Sequence, residues 1–129
     1  QVEPLGVSIK SDNPITVYGL NRRFQTTDSF LCFPLEVLGK EYRAMGYYVS
    51  DGLFSQFAIV ATENNTEVSI LPSVHTTKYQ ANQLYKIKLN KGEVYQVVAR
   101  NDPSNKCDLS GTIIKANKKI CLFFILSLR

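Results

Sequence analysis

The chain has 129 residues, of which 44% are hydrophobic and 20% charged, with a net charge of +4. That length fits one domain able to bury about two-thirds of its unfolded surface in a proper core. The basic residues are scattered instead of forming a stripe interleaved with aromatics, which argues against a nucleic-acid partner. The longest apolar run, Ile120–Leu128, is too short to cross a bilayer as a helix.

Taken in chain order, Val7–Lys10 and Ile15–Tyr18 read as short strands around the turn Ser11-Asp12-Asn13-Pro14, whose residues bond locally and preset φ. Arg22–Ser29 is polar and reads as a loop, and Phe30–Phe33 is apolar. Pro34-Leu35-Glu36-Val37-Leu38-Gly39 changes the rhythm: proline at the start and glycine past the end predict a single helical turn. Glu41–Val49 resumes as a strand. Phe57–Ala61 and Glu67–Leu71 read as a hairpin around Glu63-Asn64-Asn65-Thr66, with Ile59 opposite Ile70 and Ala61 opposite Val68. Tyr85, Ile87 and Leu89 alternate with Lys86 and Lys88 before Asn90-Lys91-Gly92 turns the chain into Val94–Ala99. A loop over Asn101–Asn105 precedes two last strands. No ten-residue helix is visible, and seven Tyr and seven Phe against one Met and no Trp favour strands. The expectation is an all-β fold, an antiparallel β-sandwich of about eight to nine short strands with one helical turn near residues 34–39.

The beginning of the chain returns near its end. Gly6-Val7-Ser8-Ile9-Lys10-Ser11-Asp12-Asn13-Pro14-Ile15-Thr16-Val17-Tyr18 is echoed by Gly111-Thr112-Ile113-Ile114-Lys115-Ala116-Asn117-Lys118-Lys119-Ile120-Cys121-Leu122-Phe123, at a constant offset of 111 − 6 = 105 residues. Such a period suggests arrayed β-modules. The chain is read as a single module over residues 1–129, in which 111–129 either begins a second copy or closes the first.

Signals for chemistry are sparse. His75 is the sole histidine, and nothing in the spacing brings Cys32, Cys107 or Cys121 to it as a dyad. The acidic residues lie beside turns, where carboxylates cap backbone groups, and no calcium-loop, zinc or phosphate-loop pattern occurs, so no catalytic residue, metal or cofactor is expected. Of the three cysteines, Cys121 reads as a small core residue and Cys107, in a polar stretch, as the most exposed thiol; one disulfide plus one thiol is the other arrangement. Asn64-Asn65-Thr66 is an N-glycosylation sequon at a turn, placing a glycan on Asn64. The tyrosine-rich stretches Tyr42–Tyr48 and Tyr79–Tyr95 read as cross-strand packing before they read as a binding surface. Contact residues for a partner are sought on loops: Arg22, Arg23, Asp51 and Asn65.

Four segments resemble, in order and spacing, the IgGFc-binding protein N-terminal domain family, a module of mucus-associated and cell-surface proteins. They are Ile9–Asn21, Pro34–Tyr42, Ser55–Val68 and Asp108–Ala116, and together they are spread over residues 9–116. The family usually has proline where this chain has Lys119. The resemblance implies a non-enzymatic, secreted or cell-surface module for recognition or adhesion, without shared catalytic residues. Its partner would be an extracellular protein or glycan, with immunoglobulin Fc or mucin as candidates. An alternative from a different class is a structural protein that forms homo-oligomers by exchanging its apolar C-terminal strand, Ile120, Leu122, Phe123, Phe124, Ile125 and Leu126, with a neighbouring sheet.

Overall fold

A computed structural model describes residues 1–23, 26–46, 54–100 and 107–127. In them, alternating apolar and polar side chains build ten strands, all antiparallel where they pair, in three sheets. The strands are β1 (Val2–Glu3), β2 (Val17–Arg23), β3 (Thr26–Cys32), β4 (Glu41–Arg43), β5 (Phe54–Ala61), β6 (Thr66–Leu71), β7 (Tyr85–Leu89), β8 (Val94–Val98), β9 (Ile113–Ala116) and β10 (Ile120–Ser127). A 3₁₀ turn at Leu35–Val37 stands where the proline-to-glycine signature predicts a helical turn.

One sheet has the order β1-β8-β5-β10 and a second the order β4-β9-β6-β7, while β2 and β3 form a separate ribbon. The two larger sheets share one core. Phe57, Ile59, Ala61, Tyr95, Val97 and Ile120 from the first meet Val68, Ile70, Tyr85, Leu89 and Ile114 from the second. Full burial of one such aliphatic side chain contributes about 1.5–3 kcal/mol, so this shared layer is the main source of stability. The all-β sandwich expected from the pattern is the fold observed.

Several local expectations are corrected. Residues 57–61 and 67–71 do not form a hairpin: β5 pairs with β8 and β10, whereas β6 pairs with β7 and β9. Residues 62–65 instead carry the chain from one sheet to the other. Ile59, Ala61, Val68 and Ile70 are all buried, but they come from opposing sheets. An arch and a hairpin bury the same alternate positions, so alternation alone does not separate them. The links β7 to β8 and β9 to β10 cross between the sheets in the same way.

In the polar stretch Arg22–Ser29, the described residues 22–23 and 26–29 are not a loop but the distal half of the β2–β3 ribbon, in register from Val17↔Cys32 to Arg23↔Thr26, and 24–25 lie outside the described residues. A two-stranded ribbon does not need apolar residues at its tip, and Thr26 and Thr27 favour extended backbone. Conversely, Val7–Lys10 and Ile15–Thr16 are not strands, and the second strand begins only at Val17. Their pattern suits a sheet, but among the described residues no strand lies beside them. The strand expected over Glu41–Val49 is β4 alone, since 44–46 is irregular and 47–49 lies outside the described residues.

Candidate recognition surface

The β2–β3 ribbon is two-faced because its residues alternate. On one face Val17, Gly19 and Cys32 are half-buried. There the Phe30 ring covers Gly19 so closely that a Cβ at Gly19 would lie 2.1 Å from its Cζ. Phe30 also meets Phe123 of β10 edge to face, with centroids 5.1 Å apart, which leans the ribbon on the outer side of the sandwich. The opposite face carries Tyr18 and Leu20, 73% and 69% exposed, with exposed Leu31 paired to Tyr18. Past the ribbon, Phe33, Leu35 and Val37 are exposed as well. Large apolar side chains gathered on one outward face are the usual mark of a binding surface.

Arg22 is exposed on β2 opposite Thr27, and Arg23 pairs with Thr26 at the tip. Phe30 meets Phe123, and Cys32 is near enough to Cys121 to contribute to the rise of its thiol, so β3 runs against β10 in direction. The arginine tip therefore points toward the C-terminal end of β10. Asp51 lies outside the described residues.

Asn64 and Asn65 sit at the other end, where the three sheet-crossing links converge. Asn65 adopts φ of +54°, a conformation asparagine tolerates. Asn64 Oδ1 accepts from the Lys91 N–H (3.0 Å), its carbonyl accepts from Lys118 Nζ (2.7 Å), and the Asn65 N–H donates to Asn90 Oδ1 (3.3 Å). The Glu67 N–H donates to Asn117 Oδ1 (2.9 Å), and Thr62 Oγ1 donates to the Lys119 carbonyl (2.6 Å). Lys118 also lies 3.9 Å from Glu63. Arg22 and Asn65 therefore belong to opposite ends of the module and not to one site. Sequence reasoning favoured loops and passed over the Tyr18–Leu20–Leu31 face, although Gly19 between two large side chains marked it.

β10 lies at an edge of its sheet. Ser55 and Ala61 of β5 direct their backbone groups to β8: Ala61 exchanges bonds with Gly92 and Glu93, and the Ser55 carbonyl accepts from Ala99. By alternation Val60, Ala58 and Gln56 face β10, opposite Cys121, Phe123 and Ile125. Leu122, Phe124 and Leu126 then turn their N–H and C=O groups to the outer edge. Ile120, which follows the same parity, donates to the Gly39 carbonyl and accepts from the Tyr42 hydroxyl. Its side chain is fully buried, Leu122 packs on the core, and the Phe124 ring lies 6.0 Å from that of Phe57.

Chemistry-bearing groups serve the fold. His75 Nδ1 accepts from the Ala81 N–H (3.1 Å) and its carbonyl from Arg100 (2.8 Å), which fixes the connection between β6 and β7. Cys107 is half-buried, not the exposed thiol expected, and its Sγ donates to the Arg100 carbonyl (3.3 Å). Burial, with Cys32 nearby, pushes the Cys121 thiol above its ordinary range. Tyr79 stacks on Tyr85 at 3.7 Å, and Tyr85 meets Tyr95 edge on, so these tyrosines pack across strands. Among the described residues no three His, Cys, Asp or Glu side chains gather as metal ligands, and no helix is long and apolar enough to cross a membrane.

Residues 28–125 match the family model described as IgGFc binding protein, an interval from within β3 into β10 that takes in the strands of both large sheets except β1. No curated protein and no solved structure matches the chain.

Proposed function

The chain belongs to the IgGFc binding protein family, and from that premise we propose that it is a non-enzymatic extracellular module for recognition or adhesion. Its partner is an extracellular protein or glycan, with immunoglobulin Fc, named in the family description, and mucin as the first candidates. The observation that carries this reading is the outward apolar face of Tyr18, Leu20 and Leu31 on a ribbon held by its other face. Tyrosine and leucine there offer a desolvating centre, and Arg22 and Arg23 at the tip supply charged contacts at its rim. Asp51 and Asn65 are proposed as polar contacts separate from this face, Asn65 lying at the opposite end of the module.

The test is biolayer interferometry of the purified chain against immobilised Fc, mucin and a panel of extracellular glycoproteins and glycans. Saturable binding weakened at least about tenfold by Tyr18→Ser with Leu20→Ser, at unchanged melting temperature, is the expected result. Binding indifferent to these substitutions would move the site elsewhere, and no saturable binding across the panel would sink the proposal.

The open outer edge of β10 favours a second reading, assembly through the strand of Ile120, Leu122, Phe123, Phe124, Ile125 and Leu126. Its readout is the solution mass by light scattering with and without reductant: a reductant-resistant oligomer supports assembly, and a monomer at all concentrations removes it.

A further inference from the structure

The two copies of the 105-residue echo have opposite fates. Ile114 and Ile120 of the second copy are fully buried, whereas Ile9 and Ile15, their counterparts, are 58% and 55% exposed. Gly6 donates to the Gly92 carbonyl at 2.8 Å, but, among the described residues, 7–16 make no backbone hydrogen bond to another segment. Yet the first copy carries what the position of the second requires. At the fully buried positions Ile114 and Ile120 it has Ile9 and Ile15; at Thr112 it has Val7, which matches the shape but not the hydroxyl that accepts from the Ser73 N–H at 3.1 Å. At the exposed positions Gly111, Lys115 and Asn117 it has Gly6, Lys10 and Asp12. The turn is preserved in kind: Asp12 offers a carboxylate oxygen where Asn117 accepts from the Glu67 N–H. Pro14, which lacks an N–H, falls at Lys119, whose carbonyl takes the bond from Thr62.

The strand edges agree independently. Arg23 and Thr26 are partners only three positions apart in the chain, a spacing that closes a ribbon on a hydrogen-bonded pair. By alternation Asn21, Gly19 and Val17 direct their backbone groups at β3, leaving those of Tyr18 and Leu20 open. The counterparts of Tyr18 and Leu20 are Phe123 and Ile125, the residues β10 turns toward β5; the counterparts of Val17, Gly19 and Asn21 are Leu122, Phe124 and Leu126, which β10 leaves open. Each strand uses the edge that the other leaves free. One strand holding both roles would be paired on both sides, with β5 of one unit and β3 of the next.

We propose that residues 6–22 are the closing hairpin of a preceding unit of this same fold. Residues 6–11 occupy the place of β9 between that unit's β4 and β6, and residues 15–22 the place of β10 beside its β5. Successive units then share a strand, and the first sheet of one continues into the β2–β3 ribbon of the next. The period of 105 residues is the spacing of such shared strands. This inference is separate from the recognition reading and survives its failure.

The test is a graft in the full chain: residues 111–127 are replaced by the sequence of residues 6–22, position for position. A closing hairpin restores a cooperative thermal transition and the β-sheet circular dichroism of the parent. A control graft of residues 7–23, shifted by one position, turns every side chain to the wrong face and loses the transition. A graft that fails to fold, or two grafts that fold alike, overturns the proposal. As a second measurement on the parent chain, Ile9→Lys with Ile15→Lys leaves the melting temperature unchanged. A fall as large as that from Ile114→Lys would place 6–16 in this unit's own core and overturn it as well.

Discussion

Phe30 and Phe123 meet edge to face at 5.1 Å and 68°, and this contact fixes which cysteines are neighbours. Two residues along each strand, on the same faces, stand Cys32 and Cys121, and burial together with nearby Cys32 raises the Cys121 thiol. Both are unbridged thiols. Of the pairings open to the chain, 32 with 121 is the one this strand contact favours. With oxidised glutathione as oxidant, non-reducing peptide mass spectrometry is expected to find this disulfide, and to lose it in Cys121→Ser without a substitute bridge to Cys107. A dominant bridge to Cys107 would mean that the ribbon does not rest on β10 in solution.

Tyr85 is buried, with Tyr79 stacked on its ring and Tyr95 edge on, and its hydroxyl, beside that of Tyr95, makes no well-aligned hydrogen bond among the described residues. A buried hydroxyl without a partner costs about 1–3 kcal/mol of desolvation, so Tyr85→Phe is expected to raise the melting temperature. Burial also pushes the phenols of Tyr85 and Tyr95 above their ordinary 10.0 and the Cys121 thiol above 9.0. The unfolded chain ionises these groups at their ordinary values while the folded chain holds them neutral. The contribution of these three groups is therefore full at pH below their ordinary values and is lost as the pH rises through them, because the unfolded state binds fewer protons there. Urea titrations between pH 7 and 11 should show that fall, with a shallower slope in Tyr85→Phe.

The core was legible because burial repeats with period two: Phe57, Ile59, Ala61, Val68, Ile70, Tyr85 and Leu89 can be read directly from alternation, and all are buried. The sheet that each strand joins was not legible. Residues 62–65 hold asparagines suited to a hairpin, and only their tertiary bonds to Asn90, Lys91, Lys118 and Lys119 make them an arch. The apolar pattern at Ile9 and Ile15 was equally clear but names a sheet without naming its owner. The recognition face was missed because Tyr18 and Leu20 look like any half-buried strand until the ribbon's other side is found against Phe123.

Asn64 is exposed and its Oδ1 accepts from the Lys91 N–H, which leaves Nδ2, the atom that carries an N-glycan, outside that bond. Glycosylation and the native loop are thus compatible. The sequon hydroxyl, by contrast, is fully buried, with Thr66 Oγ1 donating to the Glu63 carbonyl at 2.7 Å. Secretion from eukaryotic cells is expected to yield a chain whose mass drops on glycosidase treatment. Asn64→Gln removes the glycan with little effect on melting, whereas Thr66→Val removes it and also destabilises by about 1 kcal/mol. An unmodified secreted chain would refute the assignment.

Tyr42 ties the first residue of β10 to the segment that follows the 3₁₀ turn. Its hydroxyl accepts from the Gly39 N–H at 2.7 Å and donates to the Ile120 carbonyl at 2.9 Å, and the Ile120 N–H bonds the Gly39 carbonyl. Residues 39–42 thereby act as a short cover over an edge whose next backbone groups, at Leu122 and Phe124, stay open. Tyr42→Phe keeps the ring in the core but strands two half-buried polar groups at once, at a cost of about 1–3 kcal/mol. Its melting temperature should fall, and exchange at the Gly39 and Ile120 amides should accelerate ahead of that at Ile59. Because the uncovered edge lengthens by one residue, the variant should also associate at lower concentration than the parent in light scattering. Unchanged melting and exchange would show that the cover is held by the Ile120–Gly39 bond alone.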